Sequence, residues 1–171
     1  YAMNPSCMID GPSQFDFYSG GGLDIAFLGF GEIDAVGNVN VSKLGGNTVG
    51  PGGFIDIAQN ARKVVFCGTF DTGGARTEVG SGVMRVTEHG RISKLVDKVD
   101  QITFSGPQSL LQGQKVIYIT ERAVFELREN GLHIIEIAPG IDLQTDLLDR
   151  MGFVPNMNSP LSEMDGNYFK K

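Results

Sequence analysis

The sequence predicts an α/β fold, and three features carry that prediction. Residues 22–30 and residues 63–68 are nearly continuous apolar runs, which are typical of strands covered on both faces. Between them a glycine-rich turn leads into a short helical pattern, so the order is strand, loop, helix, strand. In the middle of the chain, turn residues recur at short intervals and predict additional β-hairpins.

Length and composition are those of one globular domain with a core of its own. The chain has 171 residues, of which 41% are hydrophobic and 20% are charged. The net charge of −6 argues against a nucleic-acid partner, and no apolar run approaches the ~18 residues of a membrane helix. Cys67, one of two cysteines, lies inside an apolar run. We therefore expect a buried, reduced thiol and a cytoplasmic protein, with neither nucleic acid nor membrane as a partner.

The first half of the chain is predicted to begin with a loop and to continue with short elements around the two apolar strands. Residues 1–13 contain two prolines and a glycine and show little periodicity, which indicates a loop. Gly37 and Asn38 separate alternating apolar positions and predict a hairpin turn. After the glycine-rich turn, a helix is predicted from residue 54 to residue 61. Its expected inner face consists of Phe54, Ile57, Ala58 and Ala61.

The second half is predicted to be rich in strands, with one longer helix near its end. A single helical turn is expected at residues 108–112. The expected strands are residues 96–104, 116–120, 123–127 and 132–137. Asp142 is a suitable N-cap for a helix that runs through Met151. Residues 154–171 are polar and are expected to form a C-terminal tail, which places a boundary after residue 153.

The glycine-rich turn, at residues 48–58, is the strongest candidate for chemistry. Gly50, Gly52 and Gly53 surround Pro51 directly before the predicted helix. Glycine permits positive φ and close approach of a ligand, and free N–H groups at such a turn favour a phosphate, a carboxylate or a developing oxyanion. A loop that merely redirects the chain explains the same residues equally well. The turn completes neither G-x-G-x-x-G nor G-K-[ST], so a standard nucleotide site is excluded.

Other catalytic patterns are weakly represented. His89 and His133 are the only histidines, and neither has a further ligand at useful spacing. We therefore predict turn or surface histidines and no metal site. No G-x-S-x-G nucleophile turn occurs, and neither cysteine lies near a histidine in sequence. From the residues alone, the chain is an α/β domain with one candidate anion-binding loop.

Five motifs in a fixed order resemble the family I CoA-transferases. They are Q-F-D-F-Y-S-G-G-G-L-D at 14–24, G-N-V-N-V-S at 37–42, G-P-G-G-F-I-D at 50–56, I-T-E-R-A-V-F-E at 119–126 and I-A-P-G-I-D at 137–142. The resemblance is strongest to the bacterial single-chain enzymes that move CoA between short-chain acyl-CoAs and acetate. It implies an open, mixed, largely parallel sheet flanked by helices, with residues 1–153 as the C-terminal part of a CoA-transferase β-type domain.

The resemblance also implies CoA exchange through a covalent intermediate. In this family a glutamate attacks the acyl-CoA thioester, and a glutamyl-CoA thioester then passes CoA to a second carboxylic acid. If this chain works in the same way, the resemblance implies that its glycine loop supplies a backbone N–H group, from Gly52 or Gly53, beside the thioester. Gly50 completes the CoA-binding loop, and Phe54 is an expected wall of the acyl pocket. Asp56 is expected either to brace the loop or to cap the helix.

The molecules implied as partners are acyl-CoA and a short-chain carboxylic acid. CoA is expected as a substrate and not as a permanently bound cofactor. Because the family is usually oligomeric, we also expect a homo-oligomer.

The nucleophilic glutamate of the family has no counterpart in this chain. It lies in an E-x-G segment upstream of the first motif, and no glutamate precedes Glu32. Residues 129–131 spell the related E-N-G, but they fall between two strand patterns, where Asn-Gly predicts a hairpin turn. The hypothesis is therefore a C-terminal portion of a CoA-transferase that is inactive alone and needs the missing N-terminal part. A non-catalytic acyl-CoA-binding or subunit-binding module and a CoA hydrolase of the same family are the alternatives.

Overall fold

The structure is a computed structural model that describes residues 3–170, apart from the side chain of Asn158, while Tyr1, Ala2 and Lys171 lie outside the described residues. The helices are α1 (Gly11–Ser19), α2 (Phe54–Gln59) and α3 (Gly106–Leu111). A π-helical turn follows at Leu143–Leu147, with 3₁₀ turns at Leu148–Arg150 and Gly166–Phe169. In chain order the strands are β1 (Ala26–Leu28), β2 (Glu32–Ile33), β3 (Val39–Asn40), β4 (Lys43–Leu44), β5 (Asn47–Thr48), β6 (Lys63–Cys67), β7 (Asp71–Thr72), β8 (Arg76–Gly80), β9 (Val83–Glu88), β10 (Ile92–Ser93), β11 (Lys115–Ile119), β12 (Ala123–Arg128), β13 (Gly131–Ile137) and β14 (Asn156–Glu163).

Six of these strands form the central sheet, in the order β1, β6, β11, β12, β13, β14. β1, β6 and β11 run parallel to one another, β12 is antiparallel to both of its neighbours, and β14 is parallel to β13. The expected mixed, largely parallel sheet is therefore confirmed. The remaining strands form the additional antiparallel pairs: β2 with β3, β4 with β5, β7 with β10, and β8 with β9.

The core is built around β6, which lies between two parallel neighbours. Residues 64–66 are each at most 3% exposed, as expected for an interior parallel strand. The ring of Phe66 stacks on Phe54 of α2, with ring centroids 5.7 Å apart, and on Tyr118 of β11 at 5.3 Å. The hydroxyl of Tyr118 donates a hydrogen bond of 2.6 Å to the carbonyl of Gly37, which satisfies it in the interior. These contacts fix the start of α2 against the sheet.

Two predicted helices occur at the expected places but differ in extent or type. α2 ends at Gln59, two residues before the predicted end. Asp142 is an N-cap, as predicted, because its Oδ1 accepts a hydrogen bond of 2.8 Å from the N–H of Thr145. The helix predicted through Met151 is instead a π-helical turn followed by a 3₁₀ turn. Leu147 is fully buried at the end of the π-helical turn.

Three expectations for extended or irregular segments are wrong. β1 is not covered on both faces: it lies at the sheet edge, and its Phe27 is 66% exposed. The predicted N-terminal loop ends earlier than expected, because α1 begins at Gly11 with Pro12 in its first turn, where proline is tolerated. Residues 96–104 form no strand, and Phe104 pairs with Val39 through a single bridge. Val99 and Phe104 of that segment are buried, whereas Ile102 is exposed.

The expectation of a polar C-terminal tail is also wrong over the described residues. β14 adds to the edge of the central sheet, where Asn156 pairs with His133 of β13. The 3₁₀ turn beyond it buries Phe169, which is 8% exposed and packs with Met84 and Ala138. An edge strand needs few apolar residues, since much of its surface faces solvent, and its composition therefore resembles that of a tail.

Candidate functional site: the glycine loop

The glycine loop connects β5 to α2 and is held at both ends. At its start, the N–H groups of Val49 and Gly50 both donate to the carbonyl of Ser42, at 2.8 and 3.1 Å. At its end, the N–H of Phe54 donates to the carbonyl of Pro51 at 3.1 Å. The intervening backbone is therefore positioned by hydrogen bonds on either side.

Between these fixed ends lie two adjacent backbone N–H groups, those of Gly52 and Gly53. Neither donates a hydrogen bond to any atom within residues 3–170. Gly52 is exposed and Gly53 is partly exposed. Unpaired N–H groups at an accessible turn can donate to an external acceptor without first breaking a bond inside the protein.

The glycines of the loop are required for different reasons. Gly50 and Gly52 adopt φ values of +86° and +55°, which favour glycine, and a Cβ there would meet nothing within 4 Å. Gly53 has an ordinary φ of −85°, but a Cβ on it would lie 2.7 Å from Cε1 of Phe15. The ring of Phe15, from α1, thus closes over the loop at Gly53.

The side chains that follow the loop anchor it. Phe54 is 8% exposed and stacks on Phe66, so most of its ring lies in the core. Asp56 accepts a hydrogen bond of 3.2 Å from the hydroxyl of Ser19, at the end of α1. Of the two roles expected for Asp56, this contact favours bracing, since it joins α1 to the helix that the loop leads into.

Cys67 ends β6 at the carboxyl edge of the parallel strands, near which sites in α/β proteins usually form. The expectation of a buried thiol is wrong, because Cys67 is exposed as well as free. Its residual burial raises the pKa of the thiol. The apolar run that suggested burial continues only to Phe66, and the next residue leaves the core.

A buried charge cluster at the same edge was missed by reasoning from sequence. Arg122 is 0% exposed and pairs with Asp71 at 2.8 Å, while Glu121 Oε1 lies 3.3 Å from its Nε. Glu121 Oε2 accepts a hydrogen bond of 2.8 Å from the N–H of Phe70. The available signal was the Glu-Arg pair in the fourth motif, placed between two apolar strands.

The remaining candidate side chains occupy structural positions. Residues 129 and 130 form the turn between β12 and β13, and Gly131 begins β13 at a φ of +100°, so the predicted hairpin turn is confirmed. His133 lies within β13 and is 9% exposed, so the prediction of a turn or surface histidine is wrong for this residue, and its burial lowers its pKa. Within residues 3–170, no three His, Cys, Asp or Glu side chains come together as a metal-binding group. No helix in that range has the length and apolar character needed to cross a membrane.

Comparison with known proteins confirms the resemblance to CoA-transferases. No family model matches the chain. It is 49% identical, over 98% of its length, to acetate CoA-transferase YdiF of Escherichia coli O157:H7, of which it covers 32%. It is 46% identical, over 98% of its length, to the caffeate CoA-transferase of Acetobacterium woodii, of which it covers 33%.

A solved structure agrees with this comparison. The structure of acyl-CoA transferase YdiF from E. coli O157:H7 as a thioester complex with CoA has a TM-score of 0.95 and 49% identity, and the match covers 98% of this chain and 33% of that one. The chain thus spans about a third of the length of the curated relatives it matches, in their C-terminal portion.

Proposed function

We propose that this chain is the part of a short-chain acyl-CoA:carboxylate CoA-transferase that supplies the oxyanion and CoA loop. The premise is the 49% sequence identity between this chain and the matching third of an acetate CoA-transferase. The nucleophilic glutamate comes, in this proposal, from polypeptide corresponding to the remaining two thirds of that relative. The chain alone is therefore inactive, and coenzyme A is its substrate and not a resident cofactor.

The reaction proceeds by covalent catalysis in two exchanges. The glutamate carboxylate attacks the thioester carbonyl of the acyl-CoA, and collapse of the tetrahedral intermediate expels CoA thiolate and leaves a mixed anhydride. The thiolate attacks the glutamyl carbonyl of that anhydride, which releases the first carboxylate and forms a glutamyl-CoA thioester. A second carboxylate then attacks this thioester, and the same steps in reverse release the new acyl-CoA.

Each step passes through a tetrahedral oxyanion that needs hydrogen-bond donors. We assign this role to the N–H groups of Gly52 and Gly53, with Gly50 shaping the same loop. Phe54 contributes by anchoring the loop and by presenting its exposed edge to the acyl pocket. Donors fixed before the reaction stabilise developing charge without reorganisation, and losing one typically costs about 10²–10³ in kcat.

The observation that carries the proposal is the pair of adjacent N–H groups without an acceptor. Ser42 and Pro51 fix the backbone on either side of them. Two neighbouring donors that are held in place and are open to an external acceptor are what an oxyanion site requires. The order of the five motifs and the similarity to enzymes of CoA transfer support a thioester oxyanion as the acceptor of these hydrogen bonds.

A chimera tests the proposal directly. In it, this chain replaces the matching third of the E. coli acetate CoA-transferase, and CoA transfer from acetyl-CoA to propionate is measured. We expect the chimera to transfer CoA and the 171-residue chain alone to show no exchange.

The same assay separates the alternatives. A soluble, folded chimera that binds CoA without turnover would contradict the proposal and favour a binding module. Release of free acetate and CoA without a new acyl-CoA would favour a CoA hydrolase.

A further inference from the structure

A cavity of about 350 Å³ lies beside the β4–β5 hairpin, separate from the free N–H groups of the glycine loop. Its volume is within the range of small-molecule sites. The residues that matter here are Gly31, Glu32, Leu44, Thr69, Ile92 and Lys94, all of which line it. Leu44 and Ile92 contribute aliphatic side chains to the wall, and Lys94 contributes a positive charge.

Lys94 is half-buried, and its ammonium group has no ion-pair or hydrogen-bond partner among the described residues. Its Nζ lies 4.0 Å from the centroid of the Phe30 ring, a cation–π contact. Burial lowers the pKa of Lys94, and the charge of Glu121 partly offsets this effect. A cation removed from water without a paired anion is costly, so the site favours an anionic occupant.

The carboxylates near the cavity are already engaged. Glu32 Oε2 accepts hydrogen bonds from the side-chain amide of Asn40 at 2.7 Å and from the N–H of Asp100 at 3.1 Å. Glu121 is held by the N–H of Phe70 and faces Arg122, as described above. Neither carboxylate therefore neutralises Lys94 by direct contact.

Two glycines allow side chains to pack closely against the backbone beside the cavity. A Cβ on Gly68 would lie 3.0 Å from Nζ of Lys94 and 2.8 Å from Cε1 of Phe30. A Cβ on Gly31 would lie 2.6 Å from Cδ2 of Leu44, on the cavity wall. A side chain at either position would collide with the ammonium group or with the aliphatic wall.

We infer that this cavity binds a small aliphatic monocarboxylate, with its carboxylate on the ammonium group of Lys94 and its alkyl chain against Leu44 and Ile92. The inference deepens the proposed function and rests on it for the ligand class, because CoA transfer requires a carboxylic acid as second substrate. The hairpin links the two sites. β5 runs from the turn at the cavity directly into Val49 and Gly50, which Ser42 holds in place.

The test is a propionate titration of the ¹³C-labelled 171-residue chain, followed by NMR at the lysine Cε–Hε groups. We expect a saturable shift confined to Lys94. Propionamide, which has the same shape without the charge, is expected to bind about tenfold more weakly or worse, because hydrogen bonds to charged groups are the strong ones. Inorganic phosphate is expected to compete poorly with propionate, since it has no alkyl chain to contact Leu44 and Ile92.

Two variants complete the experiment. Lys94→Met removes the ammonium while keeping the side-chain length, and should weaken propionate binding about tenfold or more. Lys98→Met makes the same change at an exposed position and should leave binding unchanged. Lys94→Met should also melt at a higher temperature, because it removes a half-buried charge that no anion contacts directly.

Three results would overturn the inference: no saturable shift at Lys94, equal binding of propionate and propionamide, or propionate binding by Lys94→Met equal to that of Lys98→Met. A lower melting temperature of Lys94→Met with unchanged propionate binding would assign the lysine to packing and would also overturn it. Because the titration contains neither CoA nor the nucleophilic glutamate, it reports on the cavity whether or not the chimera transfers CoA.

Discussion

Arg122 and Asp71 form an ion pair in the interior of the protein: Nη2 of Arg122 lies 2.8 Å from Oδ1 of Asp71, and the side chains are 0% and 3% exposed. The guanidinium also donates to the carbonyl of Asp146 at 3.1 Å and lies 4.6 Å from the centroid of the Phe70 ring. Asp71 begins β7, Arg122 precedes β12, and Asp146 belongs to the π-helical turn. The pair therefore joins three segments that are far apart in sequence.

Replacing Arg122 with methionine is expected to destabilise the protein by about 3–5 kcal/mol, because it leaves the Asp71 carboxylate buried without its partner. The free energy of unfolding in urea measures the loss. Arg62→Met is the matched control, since Arg62 pairs with Asp24 at 3.1 Å but the side chains are 78% and 83% exposed. That change should cost no more than about 1 kcal/mol. Equal losses in the two variants would show that burial of the Arg122 pair is not what matters.

The parts of the fold that could be predicted are those in which local sequence and burial agree. β6 is recognisable because residues 64–66 are buried on both faces, and the glycine loop because Gly50 and Gly52 need positive φ. The turn at residues 129–131 is likewise set by local chemistry, since Gly131 has a φ of +100°. In each case the cause lies within a few residues of the effect.

The parts that were missed depend on distant partners. β14 is polar, and only its pairing with β13 makes it a strand. Phe27 is as apolar as its neighbours, yet it is 66% exposed because nothing covers the face of β1 on which it lies, while Ala26 on the opposite face is buried. Burial of Arg122 requires Asp71, fifty-one residues away, and no local pattern reports that distance. The surroundings of Lys94 could not be predicted for the same reason. Phe30 and Gly68, which approach its ammonium group, lie just after β1 and β6 and are distant from it in sequence.

Removing one N–H of the glycine loop should lower activity without disrupting its shape. Gly53 has a φ of −85°, which is near the range that proline requires, so Gly53→Pro deletes the donor while approximately keeping this dihedral angle. Gly53→Ala keeps the N–H but introduces the same Cβ, 2.7 Å from Cε1 of Phe15. In the active chimera, we expect kcat of the proline variant to fall about 10²–10³ below that of the alanine variant. Equal kcat values would remove Gly53 as an oxyanion donor.

The N-cap at Asp142 should make part of the stability depend on acid pH. Hydrogen bonds from the N–H of Thr145, at 2.8 Å, and from its hydroxyl hold the pKa of Asp142 below its ordinary value of 3.8. Because the folded-state pKa is depressed, the contribution is present above the unfolded-state pKa and is lost as pH falls through the lower folded-state value. Asp142→Asn retains an acceptor for the cap but cannot ionise.

We therefore expect Asp142→Asn to match the parent near neutral pH and to lose less stability than the parent between about pH 4 and pH 2. Melting temperatures across that interval measure the difference, with Asp142→Ala reporting loss of the cap at every pH. Parallel curves for the parent and Asp142→Asn would contradict a role for the ionised carboxylate.

The C-terminal segment offers a test of whether β14 and the turn after it are part of the folded domain. Phe169 is 8% exposed and packs with Met84 and Ala138, while the adjacent Tyr168 is 77% exposed. Phe169→Ala should cost about 3–5 kcal/mol, because it removes a buried ring and leaves a cavity. Tyr168→Ala should stay within about 0.5 kcal/mol of the parent, as surface substitutions usually do. Both free energies are measured by urea unfolding; similar small effects would mean that the segment is a tail after all, and that the sheet ends at β13.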